Sequence, residues 1–103
     1  MTDRYEGKPF LLLLDSYVLD AIGGLDARDE ETLRAPEAEV RQTYNLSGSW
    51  REIVASEMKF PAGMQGAIRE MWDKGRVRFV EANGGEPDPG EFARTFVDTN
   101  FPR

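Results

Sequence analysis

The sequence predicts an all-α fold, a compact single domain built as an orthogonal or irregular bundle of about five helices. Three observations point there. Apolar residues recur at helical spacing over most of the chain, no stretch holds the period-two alternation of an amphipathic strand, and helix start and stop signals punctuate the periodic segments at short intervals. A length of 103 residues leaves room for one domain with one hydrophobic core. An apolar fraction of 40% beside a charged fraction of 31% is ordinary for a folded chain and argues against disorder throughout.

The first helix is expected over 9–23, preceded by a flexible tail, residues 1–8, with residues 9–103 forming the helical domain. Pro9 suits a first helical position, and Gly23-Gly24 supplies a stop. On a 3.6-residue wheel Phe10, Leu11, Leu13, Leu14, Tyr17, Val18, Ala21 and Ile22 share one broad core-facing side. The opposite side carries Asp15, Ser16 and Asp20, but also Leu12 and Leu19, nearly superimposed along the helix. The apolar run 10–14 ends at Asp15, far short of the roughly 20 residues a membrane span needs. Asp3 and Glu6 cancel Arg4 and Lys8, so a secretory leader is not expected either, and the chain is assigned to the cytoplasm.

The second helical region, 29–45, is expected to be broken or kinked at Pro36, because proline removes a backbone donor and clashes one turn back. Leu33, Val40 and Tyr44 share its apolar face, and Asn45 suits a left-handed cap. A third helix, 50–59, follows the capping-box spacing of Ser49 and Glu52 and buries Trp50, Ile53, Val54 and Met58. The strongest periodicity lies in the fourth, 62–83, where Met64, Ile68, Met71, Trp72, Gly75, Phe79 and Ala82 form one stripe. Gly75 in mid-stripe predicts close approach of a neighbouring helix, since glycine there costs about 1 kcal/mol relative to alanine. The fifth, 89–100, has Asp88 as N-cap, Pro89 at its first position and Glu91 at capping-box distance, with Phe92, Phe96 and Val97 to pack. Phe101-Pro102 is expected to fold back on the body.

The absence of cysteine excludes disulfides and thiolate chemistry, and the absence of histidine removes the commonest general base and metal ligand. The net charge of −6 resides between residues 15 and 39, where eight acids face only Arg28 and Arg34. Such a charge disfavours phosphate backbones and anionic lipid, so neither nucleic acid nor membrane is expected as partner. The acidic stretch 26–37 fails as a calcium loop because Arg28, Glu30 and Glu31 stand where an EF-hand needs oxygen ligands and glycine. Gly63 and Gly66 at a helix start lack the lysine of a phosphate loop, and a tight helix beginning explains them. Lys74, Arg76 and Arg78 project diffusely and are expected to pair with acids, including those of 15–39. No nucleophile, cofactor or metal pattern emerges, and an enzyme is unsupported.

Two functional readings follow. The first is a protein-interaction or regulatory module docking through Leu12 and Leu19, flanked by Asp15, Ser16 and Asp20, onto a basic partner or a second copy. If the first helix is central, both leucines are instead interior. The second is a small-molecule-binding domain or enzyme with a pocket between helices lined by Tyr17, Trp50, Trp72 and the methionines.

Overall fold

The computed structural model describes residue 5 and residues 7–101. Among them are six helices and no strand: α1 (Pro9–Ala21), α2 (Ala27–Thr32), α3 (Arg34–Tyr44), α4 (Trp50–Glu57), α5 (Met64–Asn83) and α6 (Pro89–Asn100). With α2 and α3 taken as the two halves of the broken second region, this is the five-helix bundle expected.

The element that organises the bundle is α1, which packs against α3, α4, α5 and α6. Its buried residues, Leu11, Leu13, Leu14, Asp15, Ser16, Tyr17, Val18 and Ala21, run right round the helix, as they must when neighbours cover it on several sides. Leu33, Val40, Ile53, Val54, Ile68 and Val97 converge on it from the other helices and complete the core. At its end Gly23 takes a left-handed φ of 76°, and the Gly24 amide donates to the Leu19 carbonyl at 2.9 Å. A Cβ on Gly24 would lie 2.6 Å from Leu19 Cδ1 and 3.2 Å from Pro89 Cβ, so this glycine lets the turn press against the start of α6.

The break between α2 and α3 falls at Leu33, not at Pro36. Pro36 is the third residue of α3, where no partner for its missing amide is needed. The residue whose carbonyl its ring would strike in a continuous helix is Thr32, four positions back, and α2 ends there. The start of α2 also moves, from 29 to Ala27, because Asp26 and Asp29 form a reciprocal capping box: the Asp29 amide donates to Asp26 Oδ1 at 2.8 Å and the Asp26 amide to Asp29 Oδ2 at 3.2 Å. Asn45 is left-handed, with φ 54°, as expected. The box of Ser49 and Glu52 starts α4, but the helix closes at Glu57 on Lys59, a non-glycine residue with φ 56°. Asp88 caps α6 by accepting from the Gly90 amide, while Glu91 lines a cavity instead of completing a box.

One line of rings crosses the bundle. Tyr17, Phe60, Phe101, Phe96, Phe92 and Trp72 are linked in that order by centroid separations of 5.2, 5.5, 6.1, 5.9 and 5.1 Å. It ties α1 to the α4–α5 turn, the C-terminal segment, α6 and α5, each contact adding on the order of 0.5–1.5 kcal/mol beyond area burial. Phe101 therefore folds back as expected; Pro102 lies outside the described residues. So do residues 1–4 and 6 of the expected tail, but Tyr5 is anchored, its phenol donating to Asp15 Oδ2 at 2.7 Å.

Candidate functional site

The α1 surface is mostly interior. Leu12 and Leu19 are half-buried and pack on the core, while Asp15 and Ser16, expected on the solvent side, are only 4% and 6% exposed. The reason is that α6 packs over this side too, while Asp29 and Thr32 of α2 border it. Leu12, Asp15, Ser16 and Leu19 line a crevice of about 170 Å³ with Leu25, Leu33, Ala93 and Arg94. Both polar groups are satisfied in place, Asp15 by Tyr5 and Ser16 by donating to the Leu12 carbonyl at 2.7 Å.

Asp20 belongs to a charged junction. It accepts from Arg51 Nε at 2.9 Å, from Arg51 Nη2 at 3.3 Å and from Gln65 Nε2 at 3.2 Å. Arg51 also pairs with Glu30 and lies 4.5 Å from the centre of the Trp50 ring. Its hydrogen bonds to Asp20, opposed by partial burial and reinforced by Glu30, hold this guanidinium still more firmly charged. Arg51 thus joins α4 to α1 and α2, Gln65 adds α5 through Asp20, and Arg51 takes the role expected of Lys74, Arg76 and Arg78. Of those, Lys74 pairs locally with Glu70 at 3.0 Å and Arg76 with Glu86 at 2.6 Å, while Arg78 makes no ion pair among the described residues. Glu37, a rejected calcium ligand, accepts the Trp50 amide at 2.8 Å and caps α4 from outside that helix. Sequence spacing carried no signal for either contact, since each spans many residues.

Tyr17, Trp50 and Trp72 do not converge. Tyr17 is buried against Phe60, and burial with the nearby Asp20 charge raises its phenol above the usual tyrosine range. Trp50 is buried beneath Arg51, and Trp72 stacks edge-on against Phe92. The cavity that Trp72 lines includes neither of the others.

The outstanding surface is the distal half of α5. Of this 20-residue helix only Ile68 is buried, with Met64 and Trp72 packed partly on the core. Beyond Trp72 every residue through Asn83 is exposed, although the stripe predicted burial of Gly75, Phe79 and Ala82. Met71 is 50% exposed, Val77 55%, Phe79 41% and Val80 36%. A Cβ added at Gly75 would meet nothing within 4 Å, so the expected neighbouring helix is not there within the chain. This half-helix forms an arm, and the stripe was correct about face while silent about what covers it. The returning segment follows the arm only loosely, held by Glu86 on Arg76; this bond draws the Glu86 carboxyl below its ordinary range. Between arm and α6 opens a cavity of about 220 Å³ lined by Trp72, Gly75, Phe79, Pro87, Glu91 and Phe92.

A second apolar groove, about 490 Å³, lies between Phe10, Leu14, Tyr44, Met58 and Phe101, next to the two ends of the described chain. Among the described residues no three acidic, histidine or cysteine side chains group as a metal site, and no helix is long and apolar enough to cross a membrane. Comparison with protein-family models, with curated proteins and with solved structures finds no match to this chain.

Proposed function

We propose that the chain is a cytoplasmic helical protein-interaction module whose docking element is the arm of α5. The observation that carries the reading is that residues 73–83 hold no buried side chain yet keep Val77, Phe79 and Val80 on a well-formed helix. Met71 and Phe79 share one side of this helix while Val77 and Val80 lie on the other, so apolar surface is exposed on both sides of the arm, and large exposed apolar surface on a small domain marks an interaction site. The Leu12 and Leu19 face is the weaker choice, because its leucines are half-buried and two of its three polar neighbours are interior. A protein partner fits the arm better than nucleic acid, because its basic residues are interleaved with acids. The test is a photo-crosslinking side chain placed at Phe79 and, as control, at Glu39 on the exposed side of α3. Adducts at 79 but not at 39, lost with Met71→Asp, support docking through the arm; equal patterns at both positions, or none, reject it.

A small-ligand reading is favoured by the cavity beside Trp72, which combines three aromatic walls with Arg76, Asp88 and Glu91. Its volume falls below the roughly 300–1,000 Å³ of most ligand pockets, so it ranks second. Trp72 fluorescence in a Trp50→Phe background, flat across a metabolite panel, would remove it.

A further inference from the structure

We infer that the cavity between α5 and α6 is a site for a methylated ammonium ion, held by aromatic rings and the carboxylate of Glu91. This rests on the small-ligand reading above, names its chemistry and does not depend on docking through the arm. Three observations lead there.

The first is the walls. Trp72 and Phe79 of α5, about two helical turns apart, border the cavity from one side, and Phe92 of α6 borders it from the other. The Trp72 and Phe92 rings lie 5.1 Å apart with their planes inclined at 63°, so they stand as adjoining walls and not as a closed stack. The face of an aromatic ring carries negative potential and attracts a cation within about 6 Å, and cages of such rings are the usual receptors of quaternary ammonium ions.

The second is charge. Arg76 at the rim is already held by Glu86 in a two-point contact of 2.6 and 2.8 Å, and Asp88 accepts from the Gly90 amide and faces Arg94 at 3.9 Å. Alone among the lining charges, the Glu91 carboxylate makes no hydrogen bond or ion pair with the described residues. The positive end of α6 offsets part of its charge, but the chain as a whole carries −6, and what is left at the cavity selects a cation. A bare ammonium would match poorly, because it is strongly hydrated and brings three donors to walls that are mostly carbon. A methylated one meets those walls with its own methyl groups and leaves one diffuse charge for Glu91.

The third is space. Gly75 lines the cavity between Trp72 and Phe79, and a Cβ built there meets nothing within 4 Å, so any longer side chain would take volume from the cavity. Glycine at this position costs helix stability, and an open cavity is what it leaves. About 220 Å³ is small for a drug-sized ligand but sufficient for a compact ammonium head group.

Heteronuclear NMR of the wild-type chain, which separates the indole N–H of Trp72 from that of Trp50, tests this by titration with tetramethylammonium chloride from about 10 μM to about 50 mM, against sodium chloride at matched ionic strength. The expected result is a saturable shift of Trp72 with Trp50 unmoved, and an upfield shift of the bound methyl protons from the ring faces. Choline should bind at least tenfold more tightly than neohexyl alcohol, its uncharged carbon isostere. Glu91→Gln should weaken choline about threefold, and Gly75→Leu, which fills the space, should abolish binding with the circular dichroism of the fold retained. Choline and a short peptide carrying one trimethyllysine, titrated separately, identify the source: tighter choline places a free metabolite in the cavity, and a tighter peptide places there the side chain of a docked partner. Equal affinity for choline and neohexyl alcohol overturns the inference and leaves a ligand pocket of another chemistry. A shift undiminished by Glu91→Gln or by Gly75→Leu, or one that moves Trp50 equally, overturns it too, placing the cation elsewhere. If Trp72 responds neither to the ammonium series nor to a metabolite panel, the small-ligand reading falls as well.

Discussion

Truncation along α5 separates its two halves, although the residues share one stripe. Ile68 is fully buried, so Ile68→Ala removes packed methylenes and leaves a cavity, costing about 2–5 kcal/mol. That is a large part of the roughly 5–15 kcal/mol available to a domain of this size. Phe79→Ala removes a ring that is already 41% exposed and gains helix propensity, so its net effect is expected to stay within about 1 kcal/mol. Gly75→Ala meets open space and should stabilise the helix by up to about 1 kcal/mol. Urea unfolding followed by circular dichroism at a few micromolar, where the arm is uncovered, reads all three. With m near 1–3 kcal/mol per M, Ile68→Ala should lower the midpoint by roughly 1–2 M and Phe79→Ala by much less. A Phe79→Ala loss matching that of Ile68→Ala, or a destabilising Gly75→Ala, would show that the arm packs against the body, and the docking argument would fall with it.

Glu37→Ala should cost about 1–2 kcal/mol by leaving the Trp50 amide without its carboxylate, with faster hydrogen exchange at that amide as the specific readout. Lys59→Gly should raise thermal stability by about 1 kcal/mol, since Lys59 holds a left-handed φ of 56° at the end of α4. Tyr17 contributes a pH dependence: its folded phenol titrates above its unfolded value near 10, so the stabilisation is complete below pH ~10 and is lost as pH rises through the folded pKa. Tyr17→Phe should therefore flatten the alkaline fall of the urea midpoint, and an unchanged slope above pH ~10 would refute the assignment. Glu86→Gln should speed amide exchange around Arg76 without affecting Ile68, because the Arg76 pair is the returning segment's tie to the arm.

How much of this was legible in the sequence depended on range. The box of Ser49 and Glu52, the cap at Asn45, the proline start of α1 and the end of α5 at Asn83 are local, and each lies where the pattern indicated. Two local signals were misread. Asp26 and Asp29 have the spacing of a capping box, which went unread while the stretch 26–37 was weighed and rejected as a calcium loop, and Pro36 was taken as the break when its ring acts on the residue four positions back. Lys59 offers no glycine signal at all, so the end of α4 was placed late. Contacts between distant residues left no trace: neither Arg51 with Asp20 and Glu30 nor Glu37 beneath Trp50 follows from spacing. For the candidate site the limitation was of another kind. Periodicity reports that Ile68, Trp72, Gly75 and Phe79 share a face, but it holds equally for a face covered by the same chain and for one left open.

That distinction bears on why the arm is helical at all. A short isolated helix is marginal in water because its first turn is costly to nucleate, while each added residue extends it at little further cost. The packed half of α5, anchored by Ile68 and by Trp72 on Phe92, supplies the nucleus. The distal half then continues on propagation, the Glu70–Lys74 pair and the Gly84 cap. Gly75 works against that propagation at the point where the helix leaves the body. A sequence selected only for a stable monomer would gain from alanine there, yet Met71 stays half exposed one turn before it and Phe79, one turn after, is only partly covered by the cavity it shares with Phe92. Small and large residues on the same exposed face, on a helix held out from the core, make physical sense together when that face is covered by something outside the chain.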